Sequence, residues 1–151
     1  MTDRSIVHGS FTVERKWKAP PAKVFAAWAD PALKRQWFGS PDPDNPKHVF
    51  DFKVGGREYN EGPGPGGALF IYDVRYYDIV PDNRIVFAYE MHMDGARISV
   101  SVAAIEFRPD GAGTHLVLTE HGAFLDGLDT MEQRRAGTEF MINQLGAVME
   151  K

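Results

Sequence analysis

The sequence predicts an α+β fold in which a strongly curved antiparallel sheet wraps around one long C-terminal helix. Three observations predict it. Residues 48–124 fall into stretches of period-two alternation divided by turn signals, the chain beyond Leu128 changes to helical period, and two short proline-led helices follow the first strand.

The first strand is "SFTVERKWK", Ser10 to Lys18, with Phe11, Val13 and Trp17 on one face together with Arg15. In "APPAKVFAAW" the prolines suit a first helical turn, and Val24, Phe25 and Trp28 recur three and four apart. "DPALKRQWF" repeats the device: Asp30 caps free N–H groups, and Pro31 takes a position where its missing N–H costs nothing. Trp28 and Trp37 are read as packing the two helices against the sheet.

The strands "HVFDFKV", "GREYNEG", "ALFIYDVRYYDIV", "RIVFAYEMHM", "ARISVSVAAIEF" and "THLVLTEHGAF" follow, with turns at Gly55-Gly56, Pro81–Asn83, "MDGA" and "RPDGAGT". Glycine-rich "EGPGPGG" is read as a hairpin loop, because it lacks the context of a phosphate-binding motif. The last helix, from Leu128, has a capping box at Thr130/Gln133 or at Asp129/Glu132. Residues 1–151 form a single domain without repeat or linker.

Alternation assigns faces. Phe50 and Phe52, then Phe70, Tyr72, Val74 and Tyr76, then Ile85, Phe87, Tyr89 and Met91 point inward. In "ISVSVAAIEF" the inward set begins as Ile98, Val100 and Val102 and ends as Ile105 and Phe107, which requires a bulge near Ala103-Ala104 and puts Ser99 and Ser101 outside. Glu120 shares the inward face of Leu116 and Leu118, whereas His121 points away. Asp126 serves the turn before the helix. At 100° per residue, Arg134, Gly137, Thr138, Met141, Ile142, Leu145, Val148 and Met149 share one helical arc, and Gly137 marks close approach to the sheet or to ligand space. Phe140 falls outside that arc and is a candidate contact with a second copy of the chain in a homodimer. Since a buried charge is costly unless paired, Glu120 and Arg134 are expected to meet.

A wrapped sheet of this kind leaves a cavity. The expected ligand-binding residues are Phe50, Phe52, Tyr72, Tyr76, Phe87, Tyr89, Glu120, Arg134, Met141 and Leu145, and Glu120 is the candidate proton carrier if the site is catalytic. The bland alternative for Glu120 and Arg134 is an ion pair that fixes helix to sheet. His48 shares the inner face with Phe50 and could touch a ligand, while His8, His92 and His115 are exterior. No residue spacing matches a metal site, and no cofactor is implied.

Composition narrows the partners. Hydrophobic residues are 43%, charged residues 25% and aromatic residues 12%, with a net charge of -4 and no basic stripe, so nucleic acid is a poor partner. The absence of cysteine excludes disulfides and thiolate chemistry and agrees with a reducing, cytoplasmic setting. "MTDRSIVHGSF" has no apolar run typical of a leader, and no segment approaches the ~20 apolar residues of a membrane span.

Taken with "APPAKVFAAWADPALKRQWFG", "KVGGRE" and "TEHGAFLDG", these elements resemble the bacterial relatives of the C-terminal domain of the heat-shock-protein-90 ATPase activator. That group lies within the START-like, birch-pollen-allergen-like helix-grip superfamily (SRPBCC). The resemblance covers nearly the whole chain, most strongly at Ala19-Pro20 with Val24 and Trp28, at Trp37, at Gly55-Gly56 and from Gly122 to Gly127. It implies a helix-grip fold. The superfamily holds lipid carriers, hormone receptors, aromatase/cyclase-like enzymes and chaperone cofactors, and a fold does not fix a function. Three readings stand: a binding protein for a small apolar or aromatic molecule, a cyclase/dehydratase-like enzyme using the same cavity, and a chaperone interaction domain. The eukaryotic activator's N-terminal chaperone-binding domain has no counterpart in this sequence, which gives a chaperone partner the least support.

Overall fold

A computed structural model describes residues 4–151; the first three residues of the stretch read above for a leader lie outside them. The chain runs β1 (Ile6–Trp17), α1 (Pro21–Ala29), α2 (Pro31–Phe38), β2 (Val49–Phe50), β3 (Arg57–Pro63), β4 (Leu69–Val80), β5 (Arg84–Met93), β6 (Ala96–Asp110), β7 (Gly113–Leu125) and α3 (Met131–Met149). The seven strands form one antiparallel sheet in the order β1-β7-β6-β5-β4-β3-β2. Its curved inner face holds α3, which makes this the expected α+β helix-grip arrangement. No described helix is long and apolar enough to cross a membrane.

Local chemistry sets the helix ends. Asp30 Oδ1 accepts from the N–H groups of Ala32 and Leu33 at 2.9 and 3.4 Å, so the residue that ends α1 caps α2. For α3 the cap is Thr130, whose Oγ1 accepts from Gln133 N at 3.1 Å. The helix therefore begins at Met131 rather than Leu128, because Asp126 and Gly127 adopt positive φ and the chain is still turning there. Asp126 ties this turn to the start of the chain, accepting from Ser5 N and from Arg4 Nη1. These donors hold its carboxyl below the usual carboxylate range.

Two departures from simple alternation matter. In β6 the register slips at Ile98, next to the β5–β6 turn, and not at Ala103-Ala104: Met91 pairs with Ser99, and His92 with Arg97. Ile98 and Ser99 are consequently both buried, and Ser101, Ala103, Ile105 and Phe107 continue inward without a break. Ile98, Ile105 and Phe107 are inward as expected, and the expectation is reversed only from Ser99 to Val102. Ser99 and Ser101 face the interior, whereas Val100 and Val102 are exposed, because moving the bulge from Ala103-Ala104 to Ile98 flips the residues between the two positions. The second departure is the brevity of β2. Past Phe50 the chain turns so tightly that a Cβ on Gly56 would lie 2.0 Å from the Asp51 carbonyl oxygen.

The core lies between the C-terminal half of α3, the inner strand faces and the two short helices. Ile142 and Leu145 are fully buried with Val24, Ile105, Phe107 and Leu116, and the largely buried Trp17 belongs to the same cluster. Gly146 provides the close helix approach: a Cβ there would stand 2.8 Å from Trp17 Nε1. At Gly137 nothing lies within 4 Å, so that glycine opens onto space rather than onto the sheet.

Candidate functional site

A cavity of about 910 Å³ lies between the N-terminal half of α3, the two short helices and the inner face of the sheet. Its inner wall includes Tyr72, Phe87, Tyr89, Glu120 and Arg134. Met141 also lines it, and Gly137 and the exposed Phe140 border it from α3. The other expected ligand residues lie outside this wall. Leu145 is in the closed core, Phe52 packs edge-on against Phe25 and Tyr76, and Phe50 lies beneath the Lys34 ammonium. Tyr76 turns its hydroxyl to Glu58. His48 is occupied as well: Asp42 N donates to its Nδ1 at 3.0 Å, which leaves Nε2–H to donate to the Glu61 carbonyl at 3.0 Å. It pins a loop.

One polar cluster joins sheet to helix. The Tyr89 hydroxyl donates to Glu120 Oε2 at 2.7 Å and accepts from Arg134 Nη1 at 2.9 Å. Arg134 Nη2 donates to Ser99 Oγ at 2.7 Å and to Asp129 Oδ2 at 2.8 Å. The direct Arg134–Glu120 separation is 3.6 Å. The two charged groups thus meet through a tyrosine, and the bulge in β6 is what delivers Ser99 to the guanidinium. Arg134 also lies over the rings of Tyr89 and Phe124, each 5.4 Å away.

Burial dominates the electrostatics here. It pushes the Glu120 carboxyl above its usual range, against the opposing pull of Tyr89 and Arg134. Burial likewise raises the Tyr89 hydroxyl, so the phenol stays protonated and free to donate. Ser101 Oγ is buried close enough to Glu120 to favour the carboxylate, yet its geometry falls short of a hydrogen bond. The set can present a hydrogen-bonded carboxyl group and a guanidinium to a polar group in the cavity.

A second polar cluster was not anticipated from the sequence. Lys34, on α2, is 3% exposed, and its Nζ meets Glu58 Oε1 at 2.5 Å. Glu58, on β3, is fully buried and also accepts from Tyr76 Oη at 2.5 Å and from Asn60 Nδ2 at 2.8 Å. Lys34 Nζ lies 5.0 and 4.8 Å from the ring centroids of Phe38 and Phe50. Lys34 and Asn60 both line the cavity. Two signals were present: Lys34 shares a helix face with Trp37 and Phe38, and Glu58 and Asn60 lie two apart, opposite the inward Val74 and Tyr72.

Trp28 and Trp37 pack as expected, with ring centroids 4.6 Å apart and Trp37 Nε1 donating to the Ala27 carbonyl. Both also border the cavity.

The family described as Activator of Hsp90 ATPase homolog 1-like protein matches residues 18–150. Among solved structures, the chain is 41% identical to the Mll3558 protein of Rhizobium loti, covering 95% of this chain and 98% of that one with a TM-score of 0.87. An uncharacterized protein of Rhizobium leguminosarum is also 41% identical, covering 99% of both chains with a TM-score of 0.89. The DynU16 protein of the dynemicin biosynthetic locus shares the fold at 19% identity and a TM-score of 0.65, covering 94% of this chain and 47% of that one. No curated protein matches the chain.

Proposed function

The chain belongs to the Activator of Hsp90 ATPase homolog 1-like family, and for this member we propose that the cavity beneath α3 binds a small apolar or aromatic molecule. Tyr89, Glu120 and Arg134 form its polar anchor. The observation that carries this reading is the cavity itself. Its volume of about 910 Å³ lies within the ~300–1,000 Å³ of small-molecule sites, and it combines aromatic walls with a few convergent polar groups. A solid core would have filled this space with side chains, as the C-terminal half of α3 does.

Native mass spectrometry of freshly purified protein tests the reading. A co-purified small molecule that leaves on denaturation is the expected result. A strictly apo mass, together with no binding of any aromatic probe, would defeat it.

A second reading rests on Glu120. A carboxyl pushed up by burial and hydrogen-bonded to a tyrosine has the properties of a general acid, and one protein of the same fold comes from a biosynthetic locus. Under this reading Glu120 moves a proton to a carbonyl or hydroxyl held at Arg134. Glu120→Gln separates the two: retained affinity with lost turnover supports chemistry, and lost affinity alone supports binding. A cytoplasmic setting is supported by the lack of cysteine.

A further inference from the structure

We propose that Tyr72 selects the ligand: its hydroxyl donates a hydrogen bond to a carbonyl oxygen of the bound molecule, which is an uncharged aromatic ketone. This rests on the ligand-binding reading above and specifies its chemistry.

Three inward tyrosines stand on β4 and β5, and two of their hydroxyls are used by the protein. Tyr76 donates to Glu58, and Tyr89 bonds both Glu120 and Arg134. The Tyr72 hydroxyl has no hydrogen-bond partner among the described residues. Nor is it sealed in: Trp28 Nε1, Asn60 Oδ1 and Ser101 Oγ are the unpartnered side-chain atoms closed off inside the protein, whereas half-buried Tyr72 lines the cavity and keeps its oxygen accessible. A phenylalanine would fill the same space and make the same ring contacts, so the hydroxyl has no task in the fold. An unsatisfied donor in a largely apolar chamber favours a ligand that brings an acceptor.

The surroundings of Tyr72 set the direction of that bond. Its ring stands between those of Phe38 and Tyr89, with centroid distances of 5.5 and 5.0 Å, which fixes where the hydroxyl points. Burial first, and then the carboxylates of Glu58 and Glu120 among its neighbours, push the hydroxyl pKa well up, so the phenol keeps its proton and can donate it. The complement of a fixed donor is a group that only accepts, such as a carbonyl oxygen.

The two charged poles of the cavity decide between a ketone and a carboxylate. At one, Lys34 and Glu58 neutralise each other within a contact of 2.5 Å. At the other, Arg134 faces Asp129 at 2.8 Å and Glu120 at 3.6 Å. Neither pole offers an uncompensated positive charge, so a carboxylate would lose its hydration without gaining a counter-ion. A neutral carbonyl avoids that penalty. The wall around Tyr72, with Trp37, Phe38, Phe70 and Phe87, suits an aromatic body.

Calorimetric titration of the full chain, wild type and Tyr72→Phe, with 2-acetylnaphthalene, its near-isostere 2-ethylnaphthalene and 2-naphthoate tests this. The substitution is expected to weaken the ketone about tenfold, the equivalent of one net hydrogen bond, and to leave the ethyl compound unchanged. The wild type should bind 2-naphthoate more weakly than the ketone. Because the hydroxyl bonds nothing in the protein, ligand-free Tyr72→Phe should melt no lower than wild type. A loss of Tm comparable with that of Tyr89→Phe would assign the hydroxyl to the fold and overturn the proposal. Ketone affinity that is unchanged in Tyr72→Phe, equal weakening of the ketone and the ethyl compound, or naphthoate binding tighter than the ketone would also overturn it and leave the binding reading standing. If none of the three compounds binds, both fall.

Discussion

Tyr89 donates its hydroxyl proton to Glu120 across 2.7 Å, and the same oxygen accepts from Arg134 at 2.9 Å. The carboxylate and the guanidinium, 3.6 Å apart, are therefore coupled mainly through a phenol. Removing the hydroxyl leaves two buried polar groups each short of a partner. Tyr89→Phe should cost about 1–3 kcal/mol in urea unfolding, although it conserves nearly all of the apolar ring. A loss within measurement error would show that these bonds contribute nothing.

The raised Glu120 pKa has a defined sign in the stability profile. The folded protein holds this proton more tightly than the unfolded chain, so the contribution is fully present below the ordinary value of 4.5. It is lost as pH rises from there through the higher folded value. Glu120→Gln removes the titration. The stability of wild type relative to Glu120→Gln should therefore fall as pH rises above 4.5, measured by urea unfolding at constant ionic strength. A difference that is flat, or that grows with pH, would contradict the burial-driven shift.

At the other pole, Lys34→Met would strand the fully buried Glu58 carboxylate. Breaking one side of such a pair costs about 3–5 kcal/mol. Adding Glu58→Gln should recover more than half of that loss, because the glutamine needs no counter-ion and its carbonyl can still accept from Tyr76. Additive losses in the double variant would mean that the two groups act independently.

The glycines of α3 should respond in opposite directions to the same change. Alanine is preferred in a helix interior by about 1 kcal/mol, and at Gly137, with nothing within 4 Å, that gain should appear as a higher Tm. At Gly146 the new methyl would meet Trp17 Nε1 at 2.8 Å, and the gain should be reversed by the displaced indole. Calorimetric melting of both variants checks the pair.

What could be read in the sequence was governed by short-range periodicity. Alternation alone turned Phe87, Tyr89 and Glu120 inward, and helical spacing put Arg134 opposite them. The Asp30-Pro31 and Thr130 caps needed only local hydrogen-bond chemistry. Readings that depended on an unbroken strand were less secure. The slip at Ile98 inverted the faces of Ser99 to Val102, hiding the serine that bonds Arg134. Phe50 and Phe52 share a parity, but their strand ends at Phe50, so Phe52 packs under Phe25 instead of facing the cavity. Lys34 and Glu58 are 24 residues apart. Their meeting depends on how α2 lies across β3, which neither segment encodes alone.

Mechanically, α3 is a beam clamped at one end and latched at the other. The clamp is its C-terminal half, where Ile142, Leu145 and Gly146 are set into the core against Trp17. The latch is the Arg134 guanidinium with its four neighbours, Tyr89, Ser99, Asp129 and Glu120, together with Met131, which sits against Gly9 of β1. Between them the beam crosses open space at Gly137. The helix is thus fastened on both sides of the cavity, by apolar packing at one end and chiefly by one polar cluster at the other.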